Sequence, residues 1–189
     1  MPADSGLPPW ALRLILELES SDLRAEAVAN GLSLEQLTWQ PRPDAWSIGQ
    51  CLEHLRIANG VYLPAISAAL QGREQATVQE IKLSRFSRWF IRNYIAPNPE
   101  GRRARAPKKI EPAGQVDPRI VEMFLRSNQA TQQLVRRASC CDANRIRFRN
   151  PFVPLLRFTV GTGLEIVAKH QSRHLLQAER VRQSEGFPG

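Results

Sequence analysis

Cysteine is scarce in this 189-residue chain and odd in number: Cys51, Cys140 and Cys141 cannot all pair, and the adjacent two are poorly placed to bridge to each other. A disulfide framework is therefore not expected, and reduced thiols fit a reducing compartment. Long apolar runs are missing as well; nothing approaches the roughly 18 residues that a membrane-spanning helix needs. Met1 to Trp10 holds one acid and three prolines where a secretory leader has a basic start and then an apolar stretch. Together these absences predict a cytoplasmic protein. Strand-like alternation is also missing, so no β architecture competes for the chain.

Acid is nearly absent from one segment. Between Lys82 and Lys109, nine basic residues (Lys82, Arg85, Arg88, Arg92, Arg102, Arg103, Arg105, Lys108 and Lys109) stand against Glu100 alone, which accounts for the whole chain's net +8. The remainder is balanced, so the charge describes an inserted region and not the fold. With 42% hydrophobic and 23% charged residues, the chain suits one domain over 1–189 with a sizeable core, carrying a basic and aromatic insertion at about 72–116.

What is present is helical periodicity. Leu14, Ile15, Leu18, Ala25 and Val28 recur along one face from Trp10 to about Asn30, and Gly31 follows as a stop. Ser33 to Leu37 adds one turn, and Pro41 and Pro43 then force a loop. Ser47-Ile48-Gly49-Gln50 fits a capping box that opens helix two, which runs to about Leu70 with a kink expected at Pro64. Within the insertion, Leu83, Phe86, Phe90 and Tyr94 form an apolar stripe, with Arg85, Arg88 and Arg92 on another face. This predicts a short lid helix whose aromatics face the body of the protein. Asp117-Pro118 opens helix three, which runs to about Ala138; Phe148 to Phe158 is an aromatic loop that caps the bundle; Thr162-Gly163 opens helix four, which frays near Gly186. Four helices with one long connection between the second and third predict an all-α four-helix bundle with a crossover.

The chain's three histidines occupy positions a metal can use. His170 and His174 lie four residues apart, so they project one turn apart from the same helical face. At about 100° per residue they share an arc with Val167, Ala178 and Val181, and His54 shares one with Cys51, Ala58 and Val61. All three imidazoles therefore point inward. A lone inward histidine is ordinarily a core-edge residue bonded to a carbonyl, but three of three, two at ligand spacing, favour a metal. Three nitrogen ligands leave coordination positions open, the pattern of a reactive centre.

Neighbouring residues have plainer readings. Cys51 is read as a small core filler rather than a ligand. Glu53 and Glu165 suit an exposed face, with orientation of a ligand imidazole as the alternative. Arg173 is read as solvated, with reception of an anionic substrate as its alternative.

The segments around these histidines also resemble a known family. Trp39-Gln40-Pro41, followed by Asp44-Ala45-Trp46-Ser47-Ile48-Gly49-Gln50-Cys51-Leu52-Glu53-His54-Leu55, looks like the helix-two entry of the DinB-like (DNA-damage-inducible, metal-binding) superfamily. Ala168 to Arg180 is similar to its final helix, a histidine pair followed by a glutamine and a basic residue. The resemblance covers helices one, two and four, reaches helix three by pattern only, and leaves out Lys82 to Lys109. It implies a four-helix bundle that binds a divalent metal, nickel or zinc, through His54, His170 and His174, and that forms homodimers as relatives do. It also implies a small-molecule substrate and hydrolysis or thiol transfer, since related members include bacillithiol-dependent transferases and mycothiol-dependent maleylpyruvate isomerases. A low-molecular-weight thiol is then a candidate cofactor. The competing expectation is a non-catalytic metal-binding or interaction module whose basic insertion meets an anionic membrane surface or nucleic acid.

Overall fold

The computed structural model describes residues 6–97, 106–153 and 155–189. Arg102, Arg103, Arg105 and Glu100 of the basic segment, and Pro99, lie outside the described residues.

Four long helices make the bundle: α1 (Pro9–Ala29), α3 (Ile48–Leu70), α5 (Ile120–Ser139) and α6 (Val160–Arg182). Between them lie α2 (Leu34–Thr38), α4 (Arg85–Phe90), which continues as a π-turn over Ile91–Ile95, a single 3-10 turn (Lys108–Ile110), and two strands, β1 (Arg147–Arg149) and β2 (Arg157–Thr159). Around the bundle the order is α1, α5, α3, α6, so α1 and α3 face across one diagonal and α5 and α6 across the other. The links α1 to α3 and α5 to α6 therefore cross the bundle end, and the long connection joins the neighbours α3 and α5. This order sets α3 directly against α6, which brings the two histidine-bearing helices together.

Local chemistry explains most boundaries. Ser47 accepts from the Gln50 amide at 3.1 Å while the Gln50 side chain takes the Ser47 N–H at 3.0 Å, the reciprocal box read from sequence. Ser33 and Gln36 form a second such box on α2. α3 runs unbroken through Pro64, which has no N–H to offer Gly60 one turn earlier. α6 begins before the expected Thr162-Gly163: Thr159 caps it, accepting from the Thr162 amide at 3.2 Å. Gly163 is needed for packing instead, because a Cβ there would sit 2.6 Å from the Phe148 ring. α5 starts at Ile120, later than Asp117 suggests, since the Asp117 carboxylate accepts from the Arg119 amide and closes a turn ahead of the helix.

Two expectations need correction. The Phe148–Phe158 stretch is not wholly loop: its ends pair antiparallel, Phe148 opposite Phe158, with both rings buried. Three-residue strands are too short to show alternation in a sequence. The lid helix, too, is less cleanly amphipathic than its stripe suggests. Ser87 and Ile91 are buried and Phe90 is half-buried, but Phe86 and Tyr94 remain 47% and 48% exposed. The π-turn at Ile91 inserts extra backbone per turn and rotates Tyr94 off the inward stripe.

The long connection is tied down along its described course. Val78 accepts from the Trp10 indole at 2.9 Å, and the Lys82 amide donates to Asn144 at 2.7 Å. Beyond α4, Ile110 and Val116 are buried as the chain returns along α3. Leu52, Leu55, Val116, Ile120, Phe124 and Leu175 then form an apolar cluster joining α3, α5 and α6.

Candidate metal centre

α3 supplies His54 and successive turns of α6 supply His170 and His174. Their ligand-type nitrogens all lie within 4.8 Å of one another, and His54 Nε2 stands 3.1 Å from His170 Nε2. Two metal–nitrogen bonds of about 2.0–2.1 Å at angles from square to tetrahedral would place their nitrogens roughly 2.9–3.4 Å apart, so this pair is at ligand spacing.

The far sides of two rings fix which nitrogen faces the cluster. His54 Nδ1 lies 2.7 Å from the Ile110 carbonyl, which can only accept, so a neutral His54 carries its proton on Nδ1 and turns the Nε2 lone pair inward. His174 Nδ1 meets the Gln177 amide oxygen at 3.0 Å with the same consequence. Such bonds orient a ligating imidazole and raise its basicity. Trp46, just ahead of the α3 cap, packs its ring 4.7 Å from His54 and 5.5 Å from His174 and walls one side of the cluster.

Electrostatics keep the rings neutral. Burial is the main cause for each: it brings His54 down to about 4 and His174 to about 3, and holds His170 well below the ordinary imidazole value. The nearby Arg173 guanidinium pushes all three in the same direction. Neutral nitrogen lone pairs at pH 7 are what a divalent cation requires.

Behind the cluster, Gln171 is fully buried and donates to Asn128 at 2.8 Å; Asn128 donates to the Leu18 carbonyl at 2.8 Å and to Asp22 at 2.7 Å. This chain of bonds connects α6 to α5 and α1 one residue past His170, and so fixes the rotation of α6 that aims both its histidines.

All three histidines singled out from the sequence come together here. Cys51 sits fully buried among Val28, Leu37, Ile48 and Val181, a core filler as expected. Glu53 takes the Ala113 amide at 3.1 Å and Glu165 pairs with Arg13, so neither orients an imidazole. The groups that do are Ile110 and Gln177, neither of which the sequence marks as an orienting group, although Gln177 is the glutamine that follows the histidine pair. Gln177 lies three residues after His174, a spacing open to inspection, whereas a main-chain carbonyl from a distant segment leaves no trace in a sequence.

The fold and site together define a class: an inward three-histidine cluster between the second and fourth long helices of a four-helix bundle. The profile of the DinB superfamily matches residues 17–178, and the chain belongs to that superfamily. Among solved structures it is similar to YfiT from Bacillus subtilis, described as a probable metal-dependent hydrolase with an unusual four-helix bundle topology. The two are 15% identical with a TM-score of 0.61, over 100% of this chain and 94% of that one, a likeness of fold alone. No curated protein matches the chain.

Proposed function

We propose that this chain is a divalent-metal-dependent enzyme in which His54, His170 and His174 hold one cation through their Nε2 atoms and leave positions open for a small substrate. The observation that carries this reading is the pair of tethered Nδ1 atoms, which turns lone pairs on two helices toward one point. Neutral nitrogen donors suit zinc or nickel better than magnesium or calcium, which favour oxygen ligands. A divalent cation supplies Lewis acidity, polarising a substrate and making a nucleophile available from water or a thiol at neutral pH. The chain's own residues bind, orient and shield: Ile110 and Gln177 set the tautomers, and Trp46 limits water on one side.

Hydrolysis is the reaction we favour, supported by the description of the structurally similar YfiT. Transfer of a low-molecular-weight thiol is the variant that the family resemblance adds. Metal analysis of tag-free protein tests the common premise, with about one equivalent of divalent metal expected and uptake abolished in His170→Ala. Tag-free protein that takes up neither zinc nor nickel would sink it. Ester and thiol-transfer assays on metal-loaded and stripped protein then separate the two reactions.

A second reading has its own observation. Among the described residues, Arg85, Arg92, Arg147, Arg149 and Arg157 are exposed without an acidic partner; Arg85 and Arg92 lie on the segment that carries Phe86, Trp89 and Tyr94, which are 47%, 50% and 48% exposed, and Arg157 adjoins Phe158, whose ring stacks on Phe86 at 6.3 Å. Unpaired cations beside exposed aromatics suit an anionic partner, a membrane surface or nucleic acid, and with it an interaction role. No described helix is long and apolar enough to cross a membrane, so lipid contact would be at the surface. Salt-sensitive binding to anionic vesicles or to nucleic acid is the expected result; binding to neither at low salt rejects this reading.

A further inference from the structure

The rim of the histidine cluster is lopsided. His54 is buried to 1% exposure, whereas His170, Arg173 and His174 on α6 each retain some exposure, so α6 is the less covered side of the cluster. Arg173 stands on that side, three residues after His170 and next to His174.

Among the described residues its cation forms no ion pair. The guanidinium makes one hydrogen bond among the described residues, from a terminal nitrogen to the Tyr94 carbonyl at 2.9 Å, and its other donors find no protein acceptor. Of the acids on α1, α3 and α6, Glu165 pairs with Arg13, Glu17 with Lys169 and Arg13, and Glu179 with Arg24, while Glu53 accepts from the Ala113 amide. Among the described residues no carboxylate joins the three histidines either. A divalent cation would thus add its charge to that of Arg173 at a centre whose ligands are all neutral. Partly desolvated positive charge of this kind is costly unless an anion compensates it.

We propose that Arg173 is the anion-receiving group of this centre, so that its substrate carries a carboxylate or phosphate whose oxygens meet the guanidinium while the reacting part lies at the open metal positions. This deepens the metal-centre reading and rests on it. A planar guanidinium matches both oxyanions and does so better than an ammonium. The bond to Tyr94 holds its other edge and preorganises the fork.

The test uses the full-length protein loaded with cobalt(II), whose visible spectrum responds to exchange at open positions, titrated with inorganic phosphate, acetate and neutral imidazole. In Arg173→Gln, phosphate and acetate should bind about tenfold more weakly or worse, imidazole should bind as before, and cobalt content should be unchanged. Arg173→Lys, which keeps the charge and loses the fork, should fall between. Unchanged anion affinity in Arg173→Gln overturns the proposal. So does an equal loss for imidazole, or loss of cobalt in that variant alone, since either would make Arg173 a latch for the lid. Cobalt uptake by no variant, native included, brings down the metal-centre reading and this proposal with it.

Discussion

The carbonyl of Ile110 faces the Nδ1 of His54 at 2.7 Å, although 56 residues separate them. The residue that sets the tautomer of a candidate ligand therefore belongs to the long connection between α3 and α5. That connection carries the chain's excess charge, which from the sequence marks an insertion apart from the fold. Structurally it is not apart. Its return limb is part of the site.

Replacing residues 107–113 with a flexible glycine-serine linker should leave the bundle folded while weakening metal binding by about 10–100-fold, the usual cost of losing an outer partner of a ligand histidine. Competition against a metallochromic chelator measures the affinity, and circular dichroism checks the helices. Unaltered affinity would show that His54 is oriented without Ile110.

His170→Ala should abolish the rise in melting temperature that added zinc or nickel produces in the native chain, because only a cation bound to the folded form stabilises it. The variant should still melt cooperatively, since Leu14, Ile15, Leu52, Phe124 and Leu175 build the core without help from the histidines. Loss of cooperative melting would instead make the centre structural.

Asn128→Ala tests the buried polar chain. Removing this side chain leaves Gln171 with just the longer bond to the Asn59 amide oxygen at 3.4 Å, and leaves Asp22, among the described residues, with Gln132 at 2.9 Å. Stranding such groups should cost about 1–3 kcal/mol, read as a lower urea midpoint at constant slope. Metal affinity should fall too, because the rotation of α6 loses a restraint. A stability loss with native metal affinity would confine Asn128 to the fold.

Legibility in the sequence followed the range of the forces involved. The capping box at Ser47 and Gln50 and the i,i+4 pair of His170 and His174 are local, and both stand in the structure as read. The four long helices were legible because each buries one continuous stripe. Their order around the bundle was not, because the choice of a diagonal neighbour depends on packing between remote faces such as Leu52 against Leu175. The hairpin pairing Phe148 with Phe158 and the π-turn at Ile91 failed for a related reason: each is a few residues long and is stabilised by what it packs on. The sequence reads Arg173 as solvated, because neither its partial burial nor its bond to the Tyr94 carbonyl is a local property.

The metal-stripped protein should lose stability as the medium turns acidic. Burial lowers the folded-state values of His54 to about 4 and His174 to about 3, against 6.5 for an exposed imidazole, and depresses His170 as well. Between those limits the unfolded chain binds protons that the folded chain refuses, so stability rises with pH. The contribution is fully present above about pH 6.5, declines as pH falls below it, and levels off once the folded rings protonate near pH 3–4. For His54 alone, which is 1% exposed, the loss is on the order of 2–3 kcal/mol. Urea melts in EDTA from pH 7.5 to pH 4 measure it, and the combined variant His54→Gln, His170→Gln, His174→Gln should show a flatter profile over that window. A native profile as flat as the variant's would mean that water reaches the three rings and that the cluster is far less desolvated than its burial indicates.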